Sequence, residues 1–187
     1  MLSVAVLTAA ISAACGDPPD KEMRQAQSAI DAARAGGADL YAKDEFAAAQ
    51  DALKRATDAV TQRDYRQALN NALDARERAQ TSAKEAAERK AAARANAERA
   101  LGEATTTLND ARTRLKAAET ARGSMRPVAV ARRAFADGDT AVQKARTAFT
   151  RGEYLAVTEA AHAATARLLA AMRDLEASAP PAARRRH

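Results

Sequence analysis

An all-α fold, built as an antiparallel bundle of long helices, is predicted for this 187-residue chain by three observations. Alanine supplies about three residues in ten, and it is the strongest helix former. The 7 glycines and 5 prolines gather at segment ends and leave long stretches unbroken. Within those stretches apolar residues recur in alternating steps of three and four, the spacing of a helix-packing seam. Leu, Ile, Val and Phe together make up only about one residue in eight. The bundle is therefore expected to be thin and close-packed through alanine.

Punctuation gives five helical segments after the amino-terminal region. The first runs from about residue 18 to residue 35 and stops at Gly36 and Gly37. The second opens with Asp44 and Glu45, acidic groups that suit an N-terminal turn, and ends near Gln62. The third starts near Asp64 and meets no proline before Pro127; Gly102 is its only internal glycine, and Gly123 with Ser124 closes it. At about 1.5 Å per residue its roughly 58 residues reach about 87 Å. The fourth follows Pro127 to about Arg151, and the fifth runs from Glu153 to about Ala177. Residues 180–187, with Pro180, Pro181 and the run Arg184, Arg185, Arg186, read as a basic, disordered tail.

The seams reveal a duplication. In the second segment Phe46, Ala49, Leu53, Ala56 and Val60 step by three and four, and in the fourth Phe135, Gly138, Val142, Ala145 and Phe149 do the same. Every member of the first set lies 89 residues before its counterpart. The register continues through the following turn, where Tyr65 matches Tyr154, and between residues 42 and 78 about eleven identities fall in one ungapped frame. Upstream, Met23, Ala26, Ile30 and Ala33 align with Leu108, Ala111, Leu115 and Ala118 at an offset of 85. The expected architecture is two three-helix units, residues 15–93 and 94–179, sharing the long third helix. That construction is spectrin-like, with hairpin turns also similar to those of tetratricopeptide repeats; the alternative is one continuous folded-over bundle. The stretch 85–94, EAAERKAAAR, is charged and lacks large apolar residues, as an exposed bridge between units would.

The amino terminus reads as an address. Residues 2–14 are uncharged and apolar or small, too short to span a bilayer and about right for the core of a signal peptide. They end in the only cysteine of the chain, within SAAC followed by Gly16. Residues 1–14 are thus expected to be a lipoprotein signal peptide and Cys15 the lipidated residue, at which the mature chain begins. The lack of Lys or Arg before the apolar stretch implies an upstream start or a trimmed end, and Ser12 stands where leucine is usual. Gly16, rather than an aspartate, favours the outer membrane facing the periplasm.

The stretch 29–79 resembles a bacterial lipoprotein family known as domain of unknown function 4398. The features that carry the resemblance are Gly36 and Gly37 after an Ala-rich helix, Tyr41 to Phe46 as a helix start, and Asp64, Tyr65 and Ala68 as a turn into a long helix. The resemblance implies an envelope protein of unassigned function, and it reaches the second half only through the repeat.

Composition weighs against several functions. With a net charge of +6 spread over 30 basic and 24 acidic residues, the surface is expected to be solvated helix faces with pairs such as Lys84 with Glu88, Glu85 with Arg89 and Asp110 with Arg114. Aromatic residues amount to 3%, too few to stack on bases or sugars, which argues against nucleic acid. His162 and His187 have no triad, metal-ligand spacing or phosphate loop around them, so neither catalysis nor a cofactor or metal is expected. The expected function is a membrane-anchored, non-enzymatic structural or adaptor scaffold, its partners the membrane through Cys15 and envelope proteins or peptidoglycan. Two alternatives are a peptide- or glycan-binding groove, for which Tyr41 is nearly the only candidate off the seam, and polyanion binding through the basic surface. Residues Phe46, Leu53, Val60, Tyr65, Phe135, Val142, Phe149 and Tyr154 are assigned to the structural seam.

Overall fold

The computed structural model describes residues 17–121 and 125–178. Six helices follow one another: α1 (Asp20–Ala35), α2 (Ala38–Tyr41), α3 (Lys43–Thr61), α4 (Tyr65–Thr120), α5 (Met125–Thr150) and α6 (Tyr154–Ala177), with no strand among the described residues. The protein is an all-α bundle with a long central helix. Packing divides the chain into two units, Met1–Ala87 and Glu88–His187. Helix α4, 56 residues long, gives residues 65–87 to the first and residues 88–120 to the second. The division falls inside the polar stretch 85–94, where residues 87–92 are all exposed. The expected signal peptide, Cys15, the closing Gly123 and Ser124, and the tail 180–187 lie outside the described residues.

In the first unit, α1 carries Asp20 and Glu22 in its first turn and Arg34 in its last, each on the side the helix dipole favours. Gly37, at φ 91°, reverses the chain after it. Residues 38–41, between the first two expected segments, form the extra helix α2, separated from α3 by the break at Ala42 (φ −137°, ψ 48°). The core is largely alanine: Ala26 and Ala33 of α1, Ala49, Ala52, Ala56 and Ala59 of α3, and Ala68, Ala72, Ala75 and Ala79 of α4 are buried. Ala26, Ala52 and Ala75 form one cluster with Leu53 against it. Ile30, Tyr41 and Phe46 add large buried apolar side chains.

The second unit has a bulkier core, chiefly because Leu168, Met172 and Leu175 stand where the first has Ala79, Ala83 and Ala86. Leu108 of α4, Val128, Phe135 and Val142 of α5, and Leu168, Met172 and Leu175 of α6 form its main cluster. Helix α5 begins at Met125, two residues ahead of the expected Pro127. Proline is accommodated because the N–H groups of a first turn have no intrahelical acceptor. No break equivalent to Ala42 interrupts α5, so the second unit has three helical stretches where the first has four.

Two backbone bonds of the hairpin turns repeat at the offset of 89. In the first, Arg63 N–H donates to Val60 O at 2.9 Å and Asp64 N–H to Ala59 O at 2.9 Å. In the second, Gly152 N–H donates to Phe149 O at 3.0 Å and Glu153 N–H to Ala148 O at 3.1 Å. These are the paired bonds of a Schellman helix end, which places the residue after the cap in the left-handed region. Gly152 meets that demand at φ 79°, whereas the first copy forces Arg63 to φ 60°.

Candidate functional site

Among the candidate residues, the seam is where the chain's largest side chains meet its repeat. Phe46 and Phe135 are buried at 5% and 3% exposure, and Val142 at 1%. Leu53, Val60, Tyr65, Phe149 and Tyr154 are half-buried. The α3 stripe thus departs from the expected phase, since Ala52 and Ala59 lie at its centre and Leu53 and Val60 at its edge. Alanine is the physical reason: helices that meet across Ala26, Ala52 and Ala75 approach too closely to seat a leucine between them.

Each hairpin carries its tyrosine just beyond the turn. In the second copy the Tyr154 ring lies 5.3 Å from the Phe149 ring, tilted by 58°, and both pack on Ala97, Ala145 and Val157. In the first, valine (Val60) stands where Phe149 does, so Tyr65 has no aromatic neighbour at that position. Both tyrosines cover a hairpin end, a packing position. In the first unit Phe46 also receives Arg34, whose guanidinium carbon is 5.5 Å from the ring centroid, a cation–π distance.

Tyr41, read from the sequence as a ring free for a groove, is buried at 8% exposure. The left-handed Gly37 and the break at Ala42 turn α2 so that the ring lies beside Gly37, where an added Cβ would meet it at 3.3 Å. His162 is exposed on α6. Among the described residues no group of three or more His, Cys, Asp or Glu is placed to hold a metal ion. No helix of the described residues is long and apolar enough to cross a membrane. Cys15 lies outside them.

Charged side chains clamp each unit differently. In the first, Arg78 bridges Glu45 of α3 at 3.2 Å and Asp74 of its own helix at 2.9 Å, and Asp74 also accepts from Arg55 at 3.4 Å. At the same register the second unit has Ala134, Arg167 and Ala163, so no such network forms. Its ties are Arg112 to Asp139 at 2.9 Å, Arg132 to Glu119 at 2.6 Å, and Arg114 to Glu176. The expected Asp110–Arg114 pair is replaced by this cross-helix one, because Arg114 sits on the flank of α4 facing α6. Such exposed pairs are worth only about 0.2–1 kcal/mol each, so they set register more than stability.

The family described as domain of unknown function (DUF4398) has a model that matches residues 21–99. Over those residues the chain is similar to the DUF4398 family. The DUF4398 match begins in α1, takes in α2 and α3 and ends within α4, so it holds the helices of the first unit and the start of the second. The Gly36–Gly37 turn, the buried Tyr41 and Phe46, and the Asp64–Tyr65 hairpin all fall inside it. Helices α5 and α6 lie beyond the DUF4398 match, and the offset of 89 relates them to it. No curated protein and no solved structure matches the chain.

Proposed function

We propose that the protein is a lipid-anchored, non-enzymatic scaffold of the bacterial cell envelope, held through a diacylglycerol on Cys15 in the outer membrane and facing the periplasm. The observation that carries this reading is the run SAAC–Gly16 at the end of an uncharged apolar stretch of signal-peptide length. Small side chains before the cysteine suit a lipoprotein signal peptidase, and Gly16 rather than an aspartate favours the outer membrane. The similarity of residues 21–99 to a family of unknown function is compatible with the reading and adds no activity to it.

The scaffold role rests on construction. Two helical units with separate cores share α4, and residues 87–92 leave a polar stretch of it exposed. Extended helical surfaces of this kind suit contact with an envelope protein or peptidoglycan. Metabolic labelling with a palmitate analogue tests the anchor: the wild type is expected to be labelled and membrane-bound, and Cys15→Ser to lose the label and become soluble or remain unprocessed. Equal labelling of the mutant refutes the anchor. In vivo cross-linking with mass spectrometry tests the scaffold, which is expected to yield a defined envelope partner.

A further inference from the structure

The duplicated units have diverged in charge. Residues 1–87 carry 11 Lys and Arg against 13 Asp and Glu, whereas residues 88–187 carry 19 against 11. Part of that excess lies on the first turns of α5, beside the two most exposed large apolar side chains of the described residues. Met125 is 85% exposed and Val130 62%. Arg126 and Arg133 are exposed between and beside them, and neither forms an ion pair with a described residue. At about 100° per residue Arg126, Val130 and Arg133 share the side of α5 opposite Val128, Ala131 and Phe135, which are buried, and Met125 flanks that side at the first residue of the helix. Glu119, an acid on the adjoining helix, is already paired with Arg132, and Asp137 ends the cationic run.

The first copy shows that packing does not require this face. At the offset of 89 Val130 and Arg133 answer to Tyr41 and Asp44, so the apolar residue is buried and the cation is an acid, while Met125 and Arg126 fall ahead of the shared frame, where the two copies differ in length. Apolar groups alternating with unpaired arginines favour a surface that offers both negative charge and hydrocarbon. A hydrated polyanion meets only the first need, and the face has no ring on which a base or sugar would stack. We propose that the outward face of α5, Met125, Arg126, Val130 and Arg133, is a peripheral contact for an anionic phospholipid surface, with the arginines on the phosphates and Met125 and Val130 at the boundary with the acyl chains.

The test uses residues 17–187, which contain all six helices and both cores and lack Cys15, so its outcome is independent of the proposed acyl anchor. Co-sedimentation is measured with vesicles of phosphatidylglycerol and phosphatidylethanolamine and with vesicles of phosphatidylcholine alone. Binding is expected to the anionic vesicles only and to weaken with added salt. Each cation near such a surface is worth about fivefold in affinity, so Arg126→Gln with Arg133→Gln should weaken binding about thirtyfold. Met125→Ser with Val130→Ser should weaken it roughly tenfold. Lys43→Gln with Lys54→Gln, exposed in the first unit, should change it less than about twofold. Failure to bind the anionic vesicles overturns the proposal, as does an equal loss in the Lys43/Lys54 variant. Unchanged vesicle binding by the Met125/Val130 variant also overturns it and assigns the face to a soluble polyanion instead.

Discussion

Gly138 occupies the middle of α5, where alanine would ordinarily add stability. Replacing an interior helical glycine by alanine gains about 1 kcal/mol in helix propensity. Here an added Cβ would lie 2.5 Å from Leu168 Cδ2 and 3.0 Å from Cγ. Carbon atoms pack at about 3.5–4.0 Å, so the leucine must retreat by about an ångström. Leu168 is fully buried and shares its cluster with Phe135, Val142 and Met172, which leaves it no free volume. Overpacking of that kind costs about 1–3 kcal/mol, so Gly138→Ala is expected to destabilise by about 1 kcal/mol net, seen as a lower thermal midpoint by circular dichroism. Leu168→Ala alone should cost about 2–5 kcal/mol through its cavity. The double variant should cost less than the two added together, by about 1–3 kcal/mol, because it recreates the Ala49 and Ala79 found at these positions in the first copy. A higher midpoint for Gly138→Ala, or strict additivity, would show that Leu168 swings aside freely and would refute the reasoning.

Three further substitutions read other features of the structure. Phe46→Ala and Phe135→Ala should each cost about 3–5 kcal/mol as buried rings, and thermal midpoints left unchanged by both would mean neither ring is in a core. Arg63→Gly should stabilise by about 1 kcal/mol, since it removes a left-handed conformation that a side chain adopts at a cost; Gly152→Ala should destabilise by a similar amount, and denaturant midpoints shifting in the same direction for both would count against the shared turn. Thr165→Val should stabilise by about 1 kcal/mol, because the Thr165 hydroxyl is buried without a hydrogen-bond partner among the described residues; a loss of stability in urea would reveal a partner for it.

Helix content and the repeat were legible because alanine, glycine and proline act locally. Gly36 and Gly37 end α1, and the hairpins at Asp64 and Glu153 lie in one register that a constant offset exposes. What failed was phase. A heptad reading gives Leu53 and Val60 priority over Ala52 and Ala59 because it ranks side chains by size, yet in an alanine core closeness of approach decides which residues lie at the centre. Tyr41 was misread for a related reason: its burial depends on the left-handed Gly37 and the irregular Ala42, tertiary choices that a local pattern does not carry. The α5 surface was invisible to sequence reasoning because Met125 and Val130 look like core residues until the buried face of α5 is known.

The duplication supplies an internal control for separating fold from function. Positions that both copies keep, such as Phe46 with Phe135, Tyr65 with Tyr154 and the paired turn hydrogen bonds, are those the hairpin needs to close. Positions that diverge within one contact, such as Ala49 and Ala79 against Gly138 and Leu168, record two ways to fill it. Neither class says anything about a partner. The remaining divergence is different in kind, because Tyr41 and Asp44 against Val130 and Arg133 exchange a buried ring for an exposed apolar group and an acid for a cation. That exchange improves no packing, and leaving apolar surface in water costs free energy at about 25 cal/mol per Å². A surface kept at such a cost in one copy only is better explained by what it touches than by how it folds.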